Sequence, residues 1–327
     1  MRRRQFITAL GAAAWPLAAR AQQPQRMRRI GVLLNASSDD AEYQAWVGAF
    51  LQGLALAGWT IGRNVRIDTR WATANAAEIR RHVAELVALA PDVILAHGDS
   101  TVVPLLAATR SVPIVFTVVA DPVGAGLVES LARPGRNITG FMLFEYPLGG
   151  KWLELLKQVS PEVTRVAVLR DSALPSGMGQ FAAIQAMAPS LRMEVIPINL
   201  READEIERSV AAFASTPNGG LIVTASGWAN VHRDQIVMLA AKHKLPAVYY
   251  ARFFVTAGGL ISYGPDRVEQ YRQAAGYVDR ILKGENPADL PVQAPTKYEI
   301  VLNLKTAKMV GLEIQPSLLA IADEVIE

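Results

Sequence analysis

The chain has 327 residues, of which 51% are hydrophobic and 19% are charged, enough for about two domains with buried cores. It contains no cysteine, which excludes disulfides, cysteine zinc sites and a thiol nucleophile, and its four histidines lack metal-ligand spacing. The net charge of +3 comes from the first 21 residues, and the 29 basic and 30 acidic residues that follow predict no cationic surface for nucleic acid.

Residues 1–21 have the pattern of an export signal. A basic start precedes an apolar stretch over 6–19, and the small residues around Arg20 resemble a signal-peptidase site. The apolar stretch is shorter than the roughly 20 residues that a helix needs to cross a membrane. The segment RRQF at 3–6 fits the twin-arginine pattern of a Tat signal, and a Sec signal rich in arginine is the alternative. We therefore expect a chain that is exported to the periplasm and is soluble after cleavage before Gln22.

From residue 29 onward, short strand-like segments rich in β-branched residues alternate with helical segments. Apolar residues at helical spacing predict helices over 43–57 and around 79–87. The predicted strands of this first half lie at 29–35, 65–71, 92–98 and 113–119. Repeated strand–helix–strand units with short turns predict an α/β fold whose parallel sheet is covered by helices on both faces.

The second half repeats this order. Strand-like segments at 165–172, 220–225 and 245–249 match the first, third and fourth strands of the first half at a nearly constant offset. The alternative is that all doubly wound sheets share this appearance without a duplication. The repeat predicts two similar doubly wound parallel-sheet lobes joined by a hinge.

The connecting segments place the lobe boundaries. Segments 137–152 and 258–266 follow the last predicted strands of the two halves, and a further helix covers 268–282. In open α/β sheets a ligand binds beyond the carboxyl ends of the strands, so we expect the site in the cleft between the lobes. The predicted division is lobe one at 28–141 plus about 265–295, and lobe two at 142–264 plus about 296–327.

The turns at these strand ends carry polar and aromatic residues that suit a small ligand. Hydroxyl groups and free N–H groups at helix starts suit a carboxylate, whereas aspartates suit an ammonium group. Aromatic rings suit an apolar or aromatic side chain. For each serine, N-capping of a helix for stability alone is the alternative. The candidate ligand-binding residues are Ser37, Ser100, Thr101, Asp121, Asp171, Ser226, Trp228 and Tyr250.

Signals for catalysis are weak. The segment GDS at 98–100 resembles an element of a hydrolase family, but no Asp-x-x-His follows it. The segment GAG at 124–126 has Glu129 where a dinucleotide-binding fingerprint needs glycine, and no Walker A loop is present. We therefore predict no enzyme activity, no catalytic residue, no cofactor and no metal site.

Several short segments occur together in a specific order along residues 28–327. They are GRNVRI at 62–67, VPIVF at 112–116, DPV at 121–123, RPGRNITG at 133–140, AGGL at 257–260 and PTKYE at 295–299. In this order they resemble the ABC-transporter substrate-binding proteins of tryptophan- and tyrosine-type uptake systems. The resemblance implies the type I topology of periplasmic binding proteins, three hinge crossings and no catalysis.

The resemblance also implies partners and a role. An ABC permease in the inner membrane, with its ATPase, would receive the ligand from a monomeric exported receptor. Ser226 stands where the family commonly has an acidic residue, and the turn at 170–172 departs from the usual Asn-Pro. The sequence therefore leaves two classes of ligand: an amino acid with an aromatic or branched side chain, or another small carboxylate. The alternative function is a periplasmic ligand-sensing module that feeds a signalling receptor.

Overall fold

The computed structural model describes residues 26–200 and 203–327. The predicted export signal at 1–21 lies outside the described residues. Among the described helices, none combines the length and apolarity that crossing a bilayer requires.

The first sheet consists of five parallel strands in the spatial order β2-β1-β3-β4-β5. Helices α1 (Ala41–Leu56), α2 (Ala76–Ala88) and α3 (Asp99–Ala108) follow its first three strands. All residues of the third, fourth and fifth strands are buried, as continuous β-branched runs predict for a sheet covered on both faces. The strands are β1 (Arg28–Leu34), β2 (Val65–Trp71), β3 (Val93–His97), β4 (Ile114–Val119) and β5 (Ile138–Met142).

The second sheet has seven strands in the order β12-β11-β10-β9-β8-β6-β7. Its strands are β6 (Arg165–Arg170), β7 (Glu194–Asn199), β8 (Gly219–Val223), β9 (Ala247–Tyr249), β10 (Ile261–Pro265), β11 (Tyr298–Asn303) and β12 (Glu324–Ile326). The associated helices are α4 (Leu148–Val159), α5 (Pro175–Met187), α6 (Ala203–Ala214), α7 (Gly227–Val231), α8 (Arg233–Lys242), α9 (Arg252–Thr256), α11 (Leu304–Met309) and α12 (Pro316–Ile321). Only the pairing of β10 with β11 is antiparallel among the described strands.

The order β7-β6-β8-β9-β10 in the second sheet repeats the order β2-β1-β3-β4-β5 in the first. The predicted α/β fold with two similar doubly wound units is therefore confirmed. The segments that we expected to be plain connections contain β5 and β10, the fifth strand of each repeat. Both strands are short and include a glycine, which weakens the strand pattern in the sequence. Below, lobe one and lobe two denote the parts built on the first and second sheets.

The chain passes between the two sheets three times. The passages lie between β5 and α4, at Asp266 between β10 and the long helix α10 (Arg267–Leu282), and between Gln293 and β11. Gln293 pairs with Phe141 of β5, so the segment before the third passage still belongs to the first sheet. Helix α10 returns to lobe one and packs along α1, where the Trp59 indole N–H donates to Asp279 at 2.8 Å.

The contact between α1 and α10 depends on a small residue at Gly53. A Cβ atom there would lie 2.7 Å from the Cβ atom of Ala275 and 3.0 Å from the carbonyl oxygen of Arg272. We expect Gly53→Ala to lower the free energy of unfolding by about 1–3 kcal/mol because the helices must move apart. Gly48→Ala, in the same helix with nothing within 4 Å, should instead raise it by about 0.4–1 kcal/mol. Denaturant unfolding of both variants tests this, and equal stabilisation by the two would contradict the close approach.

Candidate ligand-binding site

The carboxyl ends of strands from both lobes meet at one small cavity. Its volume is about 20 Å³, which is room for a single water molecule. A larger ligand therefore enters only if the lobes move apart. The cavity is lined by Asn35, His97, Gly98, Asp99, Ser100, Val118, Ala120 and Leu143 from lobe one and the adjoining passage, and by Leu174, Ser176, Ala225, Ser226, Gly227, Asn230 and Tyr250 from lobe two.

A hydrogen-bond network centred on Tyr43 joins the two lobes beside this cavity. The Tyr43 hydroxyl donates to Asn35 Oδ1 at 2.9 Å and accepts from Asn230 Nδ2 at 2.8 Å. Asn35 Nδ2 donates to Ser100 Oγ at 2.9 Å, and the Tyr250 hydroxyl donates to Asn230 Oδ1. Burial raises the pKa of both tyrosines, so their hydroxyls stay protonated. The network holds Asn35 and Ser100 in fixed positions at the cavity wall.

His97 is a neutral member of the same network. Burial lowers the pKa of its imidazole well below the usual value, and the nearby Arg267 cation lowers it further. Because the Tyr43 proton goes to Asn35, His97 Nε2 donates to the Tyr43 oxygen at 3.3 Å. His97 Nδ1 then accepts from the Tyr271 hydroxyl at 2.6 Å. Both ring nitrogens are thus occupied, which leaves neither free for acid–base chemistry.

Asp99 is the buried carboxylate of the cavity. Desolvation raises the pKa of Asp99 to about 7, hydrogen bonds from Ser176 and the backbone of Ala120 offset part of the shift, and the Asp171 carboxylate adds to it. Its Oδ1 atom has no hydrogen-bond partner. A buried acceptor without a donor is costly unless a ligand supplies one. Asp99 is therefore suited to a ligand that carries a positive N–H group.

Unusual backbone conformations present the cavity residues of lobe one. Gly98, the N-cap of α3, has φ 73° and ψ 165°, a region open essentially to glycine alone. Val118 has φ 60°, which is strained for a β-branched residue, and the pairing of β4 with β5 shifts register around it. The first feature directs the start of α3 at the cavity, and the second places Val118 in its wall.

Three of the residues predicted from sequence line the cavity. They are Ser100, Ser226 and Tyr250, and the Ser226 hydroxyl also caps α7 by accepting from the Ala229 N–H at 3.0 Å. Asp171 lies close enough to influence the Asp99 carboxyl, and its Oδ1 accepts from the Ala173 N–H at 3.0 Å. Lobe one and lobe two both contribute to this group.

The structure places the other predicted residues away from the cavity wall. The Thr101 hydroxyl donates to the carbonyl oxygens of His97 and Gly98. Ser37 is exposed and donates to Asp39. Asp121 Oδ1 accepts from the Gly124 N–H at 2.7 Å within the turn that follows β4, where no helix begins. Trp228 stacks on His232 with ring centres 3.7 Å apart.

Sequence reasoning missed several residues that the fold brings to this site. Asn35 and Asp99 do lie in the strand-end turns, but nothing in the sequence marks them over their serine neighbours. Ser176 and Asn230 lie one helical turn or less inside α5 and α7, and their role depends on lobe closure. Tyr146, in the first passage between the sheets, has a buried hydroxyl without a partner close to Asp99 and Asp121. Only the three-dimensional arrangement identifies these five residues.

Comparison with known proteins extends over nearly all of the described chain. Residues 29–326 match the model of a family described as ABC transporter substrate binding protein. A curated relative, "Tyrosine-binding protein" of Clostridioides difficile strain R20291, is 25% identical over 270 residues, which cover 81% of this chain and 76% of the relative.

Two solved structures have the same architecture. An ABC domain from Streptococcus pneumoniae in complex with L-Trp superposes with a TM-score of 0.84 at 26% identity, covering 91% of this chain and 99% of that one. A conserved domain protein from Vibrio cholerae superposes with a TM-score of 0.85 at 25% identity, covering 92% and 100%. These proteins share the fold and the two-lobed arrangement around the strand ends.

Proposed function

Since this chain belongs to the family of ABC transporter substrate-binding proteins, we propose that it captures an amino acid between its lobes and delivers it to a membrane permease. We propose an amino acid because Asp99, at the cavity between the lobes, is a buried carboxylate with an unpartnered oxygen. An α-ammonium group supplies both the charge and the donors that this oxygen lacks.

The remainder of the cavity suits a carboxylate. The hydroxyls of Ser100 and Ser226 and the amide of Asn35 lie around it and can donate to a carboxylate once the lobes part. We propose Tyr250 as part of the wall for the ligand side chain, with Trp228 as a second ring that the ligand reaches in the open form. Asp121 and Asp171 act as outer acidic groups that favour the ammonium end.

The relatives support the class of ligand. One is named for tyrosine binding and another was solved with L-Trp, both of which are amino acids with an aromatic side chain. At about 25% identity the side-chain pocket can differ, so the proposal for this chain is an amino acid as a class.

Membership of this family and the export signal also suggest where the protein acts and that it binds its ligand without changing it. We propose export through the twin-arginine signal at 1–21, action in the periplasm as a monomer, and binding without catalysis. A ligand-sensing module would use the same cleft, but no observation favours that role over delivery to a permease.

Identification of the released ligand tests this function. Protein purified from the periplasm is denatured, and the released small molecules are analysed by mass spectrometry. We expect an amino acid at a stoichiometry near that of the protein, and calorimetry with the refolded protein should return saturable binding. Analogues of this amino acid that lack either the amine or the carboxylate serve as controls and should bind far more weakly. Equal binding of the amine-free analogue would overturn the role of Asp99, and failure of every common amino acid to bind would overturn the class.

A further inference from the structure

Arg267 is a buried cation at the second passage between the lobes. Its exposure is only 4%, and none of its three guanidinium nitrogens makes a hydrogen bond with acceptable geometry. Among the described carboxylates, none lies within ion-pair distance of it. A buried charge without a partner is costly to a folded protein, so this group has an unmet requirement for an anion.

Three aromatic rings surround the guanidinium without supplying a negative charge. Its central carbon lies 5.2 Å from the ring centre of Trp46 and 4.9 Å from those of Tyr250 and Phe253. Cation–π attraction offsets part of the desolvation cost. Trp46 belongs to lobe one, and the two other rings belong to lobe two. The Tyr250 hydroxyl donates to Asn230 and lies close enough to Arg267 for the cation to lower its pKa against the larger effect of burial, but no carboxylate among the described residues pairs with the guanidinium.

A pocket of about 330 Å³ has Arg267 among its lining residues. Its volume is within the range of small-molecule sites, and it shares no lining residue with the strand-end cavity. It is lined by Glu42, Trp46, Ala251, Arg252, Phe253, Pro265, Asp266, Arg267 and Val268.

Among the charged residues that line the pocket, Arg267 is the cation that can bind an anion, because the other arginine is already paired. Arg252 is paired with Glu299 and Glu324. Asp266 accepts from the Val268 N–H at 2.9 Å, and Glu42 makes no ion pair with either arginine. The two acids at the pocket favour an occupant with a single compact negative group over one with several.

We propose that the pocket beside Arg267 is a second ligand site that takes a small organic monocarboxylate. The carboxylate would accept from the guanidinium fork, and the apolar part of the molecule would lie against the rings of Trp46 and Phe253. Because these rings come from different lobes, an occupant holds the closed arrangement and raises the affinity of the strand-end cavity for its own ligand.

Benzoate is a suitable probe, with benzamide as the neutral control of the same shape. Calorimetry at constant ionic strength should show saturable binding of benzoate to the wild-type protein and none of benzamide. Arg267→Met should weaken benzoate binding at least tenfold, whereas Arg272→Met, a half-exposed arginine in the same helix, should leave it unchanged. Without benzoate, Arg267→Met should melt at the wild-type temperature or above it, since the unpaired buried charge is gone.

Further variants separate this site from the strand-end cavity. Asp99→Asn should still bind benzoate, and the amino-acid ligand should strengthen benzoate binding rather than compete with it. Should Arg267→Met not fold, Arg267→Lys keeps the charge but not the fork and should bind several-fold more weakly than the wild-type protein. The proposal is overturned if benzoate does not bind, if it binds the Arg267 variants as tightly as the wild-type protein, or if it competes with the amino acid. A lower melting temperature of Arg267→Met with unchanged benzoate affinity would assign Arg267 a packing role only.

Discussion

Asp99→Asn should weaken binding of the amino-acid ligand while it stabilises the ligand-free protein. Loss of one partner of a buried charged hydrogen bond costs about 2–4 kcal/mol, or roughly 30- to 900-fold in affinity. The ligand-free protein gains because asparagine removes a buried carboxylate whose Oδ1 has no partner. Calorimetry and thermal melting of the variant measure the two effects. If Asp99 were instead an aspartate that stabilises the fold, Asp99→Asn would lower the melting temperature of the ligand-free protein.

The pH dependence gives an independent readout of the same group. The pKa of Asp99 is about 7 in the folded protein and 3.8 in a model peptide, so between these values the folded state binds more protons than the unfolded state. Stability due to Asp99 therefore falls as pH rises from about 4 to about 7, and Asp99→Asn should lose this dependence. Affinity for an ammonium ligand should rise over the upper part of that range, by up to about tenfold per pH unit.

A matched control separates the Asp99 effect from a general loss of charge. Glu194→Gln removes a carboxylate whose side chain is 64% exposed on β7, the edge strand of the second sheet. It should change neither the affinity nor its pH dependence. If Asp121→Asn or Asp171→Asn weakens binding more than Asp99→Asn, the ammonium group lies at the outer carboxylates instead.

Gly227→Val should prevent the lobes from closing and reduce ligand affinity more than a hundredfold. A Cβ atom at Gly227 would lie 2.3 Å from Asn35 Nδ2 and 3.4 Å from Ser100 Oγ. Asn35 cannot turn aside easily, because its amide donates to Ser100 and accepts from Tyr43. The clash exists only when the lobes meet, so each lobe folds normally and only the closed state is penalised. At about 1.4 kcal/mol per factor of ten, a closure penalty near 3 kcal/mol gives this loss.

Small-angle scattering reports closure directly. With saturating ligand the wild-type protein should shrink to the closed radius, whereas Gly227→Val should keep the radius of the open form. Gly276→Val is the control, because Gly276 is exposed on α10 and a Cβ there would meet nothing within 4 Å. Normal affinity of Gly227→Val would show that the ligand binds without the contact between Asn35 and Gly227.

The sequence predicted best those strands whose residues share a single role, which is burial in the core. The buried runs of β1, β3 and β4 have no polar alternation, and their recurrence in the second half predicted the repeated strand order. The short strand β5 escaped because Thr139 and Gly140 interrupt its apolar pattern. The antiparallel strand β11 enters the second sheet beside β10, and no local pattern in the sequence predicts which sheet a strand so late in the chain joins.

The site was harder to predict because its residues come from both lobes and meet only when the lobes close. Ser100 and Ser226 were recognisable as hydroxyls at helix starts, and Tyr250 as an aromatic residue after a strand. Thr101 has the same signal as Ser100, yet its side chain faces backwards along α3 and donates to its own turn. Asp99 became a candidate only when its burial and unpartnered oxygen were known.

The return of α10 to lobe one has a consequence for how the chain is made. Helix α1 ends at Leu56 and its partner begins at Arg267, so 211 positions separate them. At about 5–20 residues per second, a ribosome takes roughly 10 to 40 s to cover that distance. Throughout this interval the α1 surface around Gly53 and Trp59 lacks its cover from α10, although the last strand of the first sheet is complete at Met142. Lobe one, the first to be synthesised, therefore cannot complete its packing until lobe two is almost finished.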